Sequence, residues 1–260
     1  MTDFNLQFRK RIGFPANETI TFDNLEDVLE KTAKTIPFEN IGIIANQAKK
    51  ITKENLINKI IDQHEGGLCY ELNGILHLFL LENGIDAKLI YGVVYDHNHQ
   101  RWIPTGKTHV ATIITNNEQP YLVDTGFGVN LPLKPVPLSG EVVTSNNGEF
   151  RAEKTETEHG DYIFYMKLKH KDKDWKIGYA FDTKVAITDY SRLTGVQKII
   201  IEHPESPFNK KPLITRLTDR GSMTLTDTSI TEWIDGKLDK QDIDQKKYKE
   251  LAKDRFDIQT

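Results

Sequence analysis

The chain has 260 residues, room for one large domain or two, and its 38% hydrophobic and 28% charged residues fit a folded globular protein rather than a disordered one. A formal net charge of −4 argues against a dedicated nucleic-acid binder, which needs concentrated Lys and Arg, and no apolar run approaches the ~18 residues of a membrane span. The single cysteine excludes an intramolecular disulfide and is either an inert core thiol or a nucleophile. The opening MTDFNLQFRKRIGF lacks the apolar core of a secretory signal, so the expected location is the cytoplasm.

Residues 1–85 read as helical. Leu25, Val28, Leu29, Thr32 and Ile36 recur at helical spacing behind a cap at Asp23 or Asn24, and Pro37 ends that run. A second helix is predicted over Thr52–His64, with Leu56, Ile57, Ile60 and Ile61 as its apolar stripe, and Gly66-Gly67 breaks it. A third runs from Leu68 to Asn83, with Gly84 as a left-handed stop.

From Ala87 the period changes to two. AKLIYGVVYD, THVATIIT, PYLVDTGF, GEVVTS, EFRAEKT, DYIFYMKLKH and WKIGYAFD read as strands of a mostly antiparallel sheet or barrel over residues 86–187. Residues 188–260 are predicted to form a short helix, the segment HPESPFNKKP and two short strands around Arg220-Gly221. A charged amphipathic helix follows from about Lys237 to Asp257.

Cys69 follows Gly66-Gly67 in the first turn of the third helix. The free N–H groups and dipole of a helix start favour a thiolate, and the glycines let the backbone turn sharply and approach a substrate. His97 and His99 sit in a polar loop without the further ligands that zinc demands, so no metal is expected. His109 is different. The runs His109–Thr115 and Glu118–Thr125 meet around Asn116-Asn117. If those two asparagines are the whole hairpin loop, His109 stands directly opposite Asp124, with Cβ atoms ~4.5–5.5 Å apart. A four-residue loop ending at Gln119 makes the two diagonal neighbours on one face, and a three-residue loop breaks the pairing. Thiolate, imidazole and carboxylate together match the nucleophile, base and orienter of covalent catalysis, which describes a thiol acyl-transfer enzyme or hydrolase.

These segments resemble the arylamine N-acetyltransferase family. RIGF, IPFEN at Ile36–Asn40, GGLCYELNG at Gly66–Gly74, THV at Thr108–Val110, YLVDTGFG at Tyr121–Gly128 and SPF at Ser206–Phe208 match in order and spacing through nearly the whole chain. The resemblance implies an α+β fold: a helical N-terminal domain (1–85) with a papain-like catalytic core, a central antiparallel β-barrel (86–187) and a C-terminal α/β lid (188–260). It implies ping-pong acetylation of arylamines, arylhydrazines or arylhydroxylamines, with acetyl-CoA as co-substrate rather than a tightly bound cofactor. Cys69 would be the nucleophile, His109 the base and Asp124 the orienter. Thr105, Gly106, Gly126, Phe127, Gly128 and Ser206 fall at positions facing CoA, and Phe38, Thr108 and Phe127 at positions lining the acceptor pocket. No nucleic-acid, membrane or obligate protein partner is implied. Two positions depart from the family pattern. Glu65 replaces the usual arginine before Gly-Gly, so it is expected to face Glu39 as a like charge, and Thr125 stands where a small apolar residue is common. A thiol hydrolase using the same three residues, and a non-catalytic CoA or aromatic binder, are the competing readings.

Overall fold

The computed structural model describes residues 2–260 of the chain. Helices α1 (Asp3–Ile12) and α2 (Leu25–Thr35) lead to the two-residue strand β1 (Phe38–Glu39), the short helices α3 (Ile41–Ile44) and α4 (Lys53–Ile57), and the long helix α5 (Cys69–Glu82). Strands β2 (Ala87–Asp96), β3 (Arg101–Trp102), β4 (His109–Asn116), β5 (Gln119–Val123), β6 (Val136–Pro137) and β7 (Val143–Ser145) follow, then β8 (Gly148–Thr157), β9 (Gly160–Leu168) and β10 (Lys176–Ile187). The chain ends with α6 (Ser191–Glu202), strands β11 (Leu213–Thr218), β12 (Gly221–Thr226), β13 (Ser229–Ile234) and β14 (Lys237–Asp242), and helix α7 (Gln245–Phe256).

The larger sheet runs β6-β5-β4-β2-β10-β9-β8-β7, with β3 paired to β2. Its two ends approach where β6 meets β8, so it forms a nearly closed antiparallel barrel. Ile90, Phe150, Phe164, Tyr179 and Phe181 fill its interior. The second sheet, β1-β11-β12-β13-β14, packs Ile214, Met223 and Leu225 on Tyr248 and Phe256 of α7. Among the described residues, no helix is long and apolar enough to cross a membrane.

Helix α5 is apolar nearly all round, with Leu72, Ile75, Leu76, Phe79 and Leu80 buried, as a helix enclosed on every side must be. Each such side chain contributes roughly 1.5–3 kcal/mol on burial. One of its contacts is β4, which is itself buried on both faces. Val110 and Ile114 join the helical core, while Ala111 and Ile113 point into the barrel. By that alternation His109 belongs to the barrel-side face of β4.

Several expectations need correction. The predicted second helix is capped by Thr52, whose side chain accepts from Asn55 N, but it becomes a π-type turn at Asn58–Asp62. Asn24 does not cap α2 by its side chain; it accepts from Thr21 N at 2.8 Å and shapes the preceding turn. The N-terminal part is not wholly helical, because β1 pairs Phe38 with Thr215 and Glu39 with Ile214. The β4–β5 loop is Asn117-Glu118, both at positive φ (49° and 62°), so Asn116 pairs with Gln119. Two consecutive left-handed residues form the mirror-image turn that matches strand twist, and that turn sets the register. The strand predicted over PYLVDTGF stops at Val123. The tail is not one helix from Lys237: Asp235-Gly236 (φ 50° and 80°) makes another tight turn, and Lys237–Asp242 is the fully exposed edge strand β14. Its charged side chains keep a free edge from pairing with another chain.

Candidate active site

Cys69 is the first residue of α5 and is buried, and its Sγ lies 3.4 Å from the Thr108 carbonyl oxygen. The chain reaches it through a tight passage. A Cβ on Gly66 would stand 2.0 Å from the Pro37 carbonyl oxygen, so only glycine fits there. The helix start is closed by Glu71, whose carboxylate accepts from Leu68 N at 2.9 Å.

His109 opens β4 and Asp124 follows the last residue of β5. The observed register makes them diagonal rather than directly opposed, on the same face as Ala111, Ile113 and Leu122. A diagonal pair is still within side-chain reach. His109 Nε2 and Asp124 Oδ2 lie 2.7 Å apart with both side chains almost fully buried. The other ring nitrogen, Nδ1, is not engaged by Asp124, and Cys69 lines the same cavity as His109.

The acid is held by four donors. Oδ2 accepts from His109 and from Tyr179 Oη (2.8 Å), and Oδ1 accepts from Asn73 Nδ2 (2.9 Å) and Gly126 N (2.7 Å). Burial would push the Asp124 carboxyl up. The His109 charge and the hydrogen bonds from His109, Asn73 and Gly126 outweigh it and hold the group below the usual range. Burial would likewise depress His109, but the Asp124 charge and hydrogen bond, with a smaller contribution from Cys69, raise it to about 10. The site therefore holds an imidazolium–carboxylate pair at neutral pH. Tyr179, buried beside Asp124, has its phenol pushed well above the usual value, first by burial and then by that carboxylate, so it remains a neutral donor.

The turn after Asp124 is pressed against α5. A Cβ on Gly126 would lie 2.5 Å from Cys69 Cα and 2.6 Å from Asn73 Nδ2, so glycine is obligatory there. Asn73 spans the same seam, donating also to the Val110 carbonyl and accepting from Thr125 N.

A cavity of about 550 Å³ opens on these groups. Cys69, His109, Phe38, Thr105, Thr108, Gly126, Phe127, Gly128 and Ser206 all line it. Gly106 does not; it sits beside the cavity in a left-handed turn (φ 67°), while the Thr105 and Thr108 hydroxyls bond each other at 2.9 Å. Phe208 completes the aromatic wall, its ring 5.5 Å from that of Phe38.

Sequence reasoning missed Asn73, Tyr179, Lys59 and Glu71. Asn73 follows Cys69 by one helical turn, and Glu71 stands three residues after the helix-capping position, so both had a local signal. Tyr179 comes from β10, three strands away from β5 and Asp124 in the barrel order, and had none.

Lys59 offsets part of the conflict expected at Glu65, which does feel Glu39 as a like charge. Its ammonium bridges Glu39 (3.0 Å) and Glu71 (2.8 Å), supplying the cation that the expectation lacked. Half-buried Glu65 lies in the same field. Its carboxyl is raised by burial first, lowered by Lys59 and raised again by Glu39 and Glu71. Burial would lower Lys59, but Glu39 and Glu71 hold it charged well above the ordinary lysine range. Its stabilisation is therefore complete at neutral pH and lost only on the alkaline side of that range. Lys59→Met is expected to destabilise the fold by about 3–5 kcal/mol near neutrality, because two buried carboxylates lose their partner. The loss should shrink toward about pH 4, where carboxyls protonate and repulsion is relieved. Equal melting temperatures of variant and parent at neutral pH would show that the bridge holds nothing.

The sequence model of the N-acetyltransferase family matches residues 21–260. An uncharacterized acetyltransferase of Bacillus subtilis is 39% identical over 98% of both chains. An arylamine N-acetyltransferase structure from Bacillus cereus, described as having a Cys-His-Glu catalytic triad, superposes with a TM-score of 0.94 at 40% identity over the whole of both chains. One from Mycobacterium marinum, solved in complex with CoA, gives 0.83 at 25% identity over 97% of this chain and 92% of that one. Where the Bacillus cereus protein is described with glutamate, the acid against His109 here is Asp124. With a family match across most of its length and a fold shared end to end with an established member, the chain belongs to the arylamine N-acetyltransferase family of acyltransferases.

Proposed function

We propose that the protein transfers an acetyl group from acetyl-CoA to an arylamine, arylhydrazine or arylhydroxylamine through an acetyl-Cys69 intermediate. The observation that carries this reading is the buried Cys69–His109–Asp124 constellation at the inner end of an aromatic-walled cavity. Cys69 Sγ attacks the thioester carbonyl, a new S–C bond forms, and the CoA thiolate leaves with a proton drawn from the His109–Cys69 pair. The acceptor nitrogen then attacks the acetyl-cysteine carbonyl while His109 Nδ1 takes its proton, and the Cys69 thiolate is released. Asp124 fixes the ring so that Nδ1 faces the sulfur and balances the imidazolium charge. Phe38, Phe127 and Phe208 suit a flat aromatic acceptor, because ring edges and faces pair favourably. Thr105, Gly126, Gly128 and Ser206 are assigned to the donor side of the cavity, with Gly106 supporting the turn behind them. This chemistry suits the cytoplasm, where acetyl-CoA is available.

The test is mass spectrometry of the protein after incubation with acetyl-CoA alone. One acetyl group on Cys69 that is stable until an arylamine is added, and then appears on the amine, is the expected result. An adduct lost to water at the same rate with or without amine would make the protein a hydrolase. No adduct at all would overturn the assignment of acetyl-CoA as donor.

A further inference from the structure

The cavity that holds Cys69 is largely apolar at depth, and its remaining charge gathers at its opening. Among the described residues lining it, Arg101 is the only lysine or arginine. Arg101 lies on β3, paired with Asp96 at the end of the β2–β3 hairpin. Its Nη2 donates to Glu205 Oε2 at 2.6 Å, across from the segment that follows α6, and each side chain is 51% exposed. Asp96 is already engaged. Its Oδ2 lies 2.7 Å from His99 Nδ1 and its Oδ1 accepts from the backbone of Asn98. Glu205 is thus the group that holds the mouth's one permanent cation, in a pair too exposed to be strong.

We propose that Arg101 anchors a phosphate group of the acyl donor, and that Glu205 occupies the guanidinium until the donor displaces it. The inference rests on the reading that a CoA thioester is the donor. A CoA thioester carries its acyl group at one end and its phosphates at the other. With the carbonyl at buried Cys69, the phosphates must emerge at the half-exposed rim, where Arg101 stands. A guanidinium matches phosphate oxygens bidentately, and such charge-assisted bonds are stronger than neutral ones. Exchange of Glu205 for phosphate replaces one anionic partner by another of greater charge and leaves the Glu205 carboxylate free to return to water.

The experiment compares kcat/KM for acetyl-CoA with that for S-acetyl-N-acetylcysteamine, the same thioester without phosphates, using one arylamine for both. Arg101→Gln is expected to lower the preference for acetyl-CoA about tenfold or more, on the scale of a lost charge-assisted bond, and Arg101→Lys should restore part of it. Glu205→Gln should raise the preference severalfold. In the parent protein the preference should fall with added salt, and in Arg101→Gln that dependence should flatten. If Arg101→Gln lowers both donors equally, the residue merely holds the hairpin and the proposal fails. An unchanged preference in Glu205→Gln would overturn the exchange. If neither donor acetylates the parent protein, the reading of a thioester donor fails first, a result distinct from either of these.

Discussion

Cys69→Ala is expected to lose arylamine acetylation by at least about 10⁴-fold while the fold remains intact. Removal of a nucleophile from a concerted set costs about as much as removal of the whole set, because its partners have nothing left to activate. The structural effect is small by contrast. The change deletes one sulfur atom at the start of a helix whose cap is provided by Glu71 and whose packing comes from Leu72, Ile75 and Leu76. Loss of activity with a melting temperature close to the parent's is the expected pair of results. Substantial turnover by the variant would remove Cys69 from the chemistry.

Asp124→Asn should cost several orders of magnitude in rate, as loss of an orienting acid does elsewhere, and here it should also cost stability. The carboxylate accepts from four donors, and an amide presents two N–H groups of its own to that set. One of its edges must face donors with a donor, leaving buried groups unsatisfied at roughly 1–3 kcal/mol each. The pH dependence has a definite sign. His109 is raised above its unfolded value, so the ion pair stabilises the fold fully below the ordinary imidazole range of ~6.5 and loses that contribution as pH rises to about 10. The variant should melt lower than the parent at neutral pH and show a flatter decline on the alkaline side. Acetylation of Cys69 at the parent rate in Asp124→Asn would show that the observed bond does not orient the base.

The helices and strands nearest the site were legible because their patterns are local. Strand β2 coincides with AKLIYGVVYD, and α5 begins and ends within a residue of its expected limits. The pairing of His109 with Asp124 was legible as shared strand face but not as register. Register depends on whether the turn takes Asn116-Asn117 or Asn117-Glu118, and either choice keeps side chains two apart on one face. Strand β14 escaped because its charged residues suit an exposed helix as well as an exposed edge; the Asp-Gly turn before it carried the decisive signal. Lys59 and Tyr179 could not be read at all as site residues. Each matters through a contact set by packing, and nothing in a one-dimensional pattern distinguishes a lysine among buried carboxylates from one in solvent.

The pairing of β1 with β11 also determines when the cavity comes into being. Synthesis delivers the chain from its N-terminus at ~5–20 residues per second. Cys69, His109 and Asp124 therefore leave the ribosome well before Phe208, Leu213 and Thr215, which wall the same cavity. Until β11 arrives, Phe38 and Glu39 have no strand to pair with, and Phe38 has no aromatic neighbour in Phe208. The nascent chain thus presents Cys69 before the residues that complete its enclosure have been made, and Phe208 of the aromatic wall is among the later ones. On the proposed reading, selection among acceptors waits for Phe208, Leu213 and Thr215, because these complete the wall that an acceptor would meet.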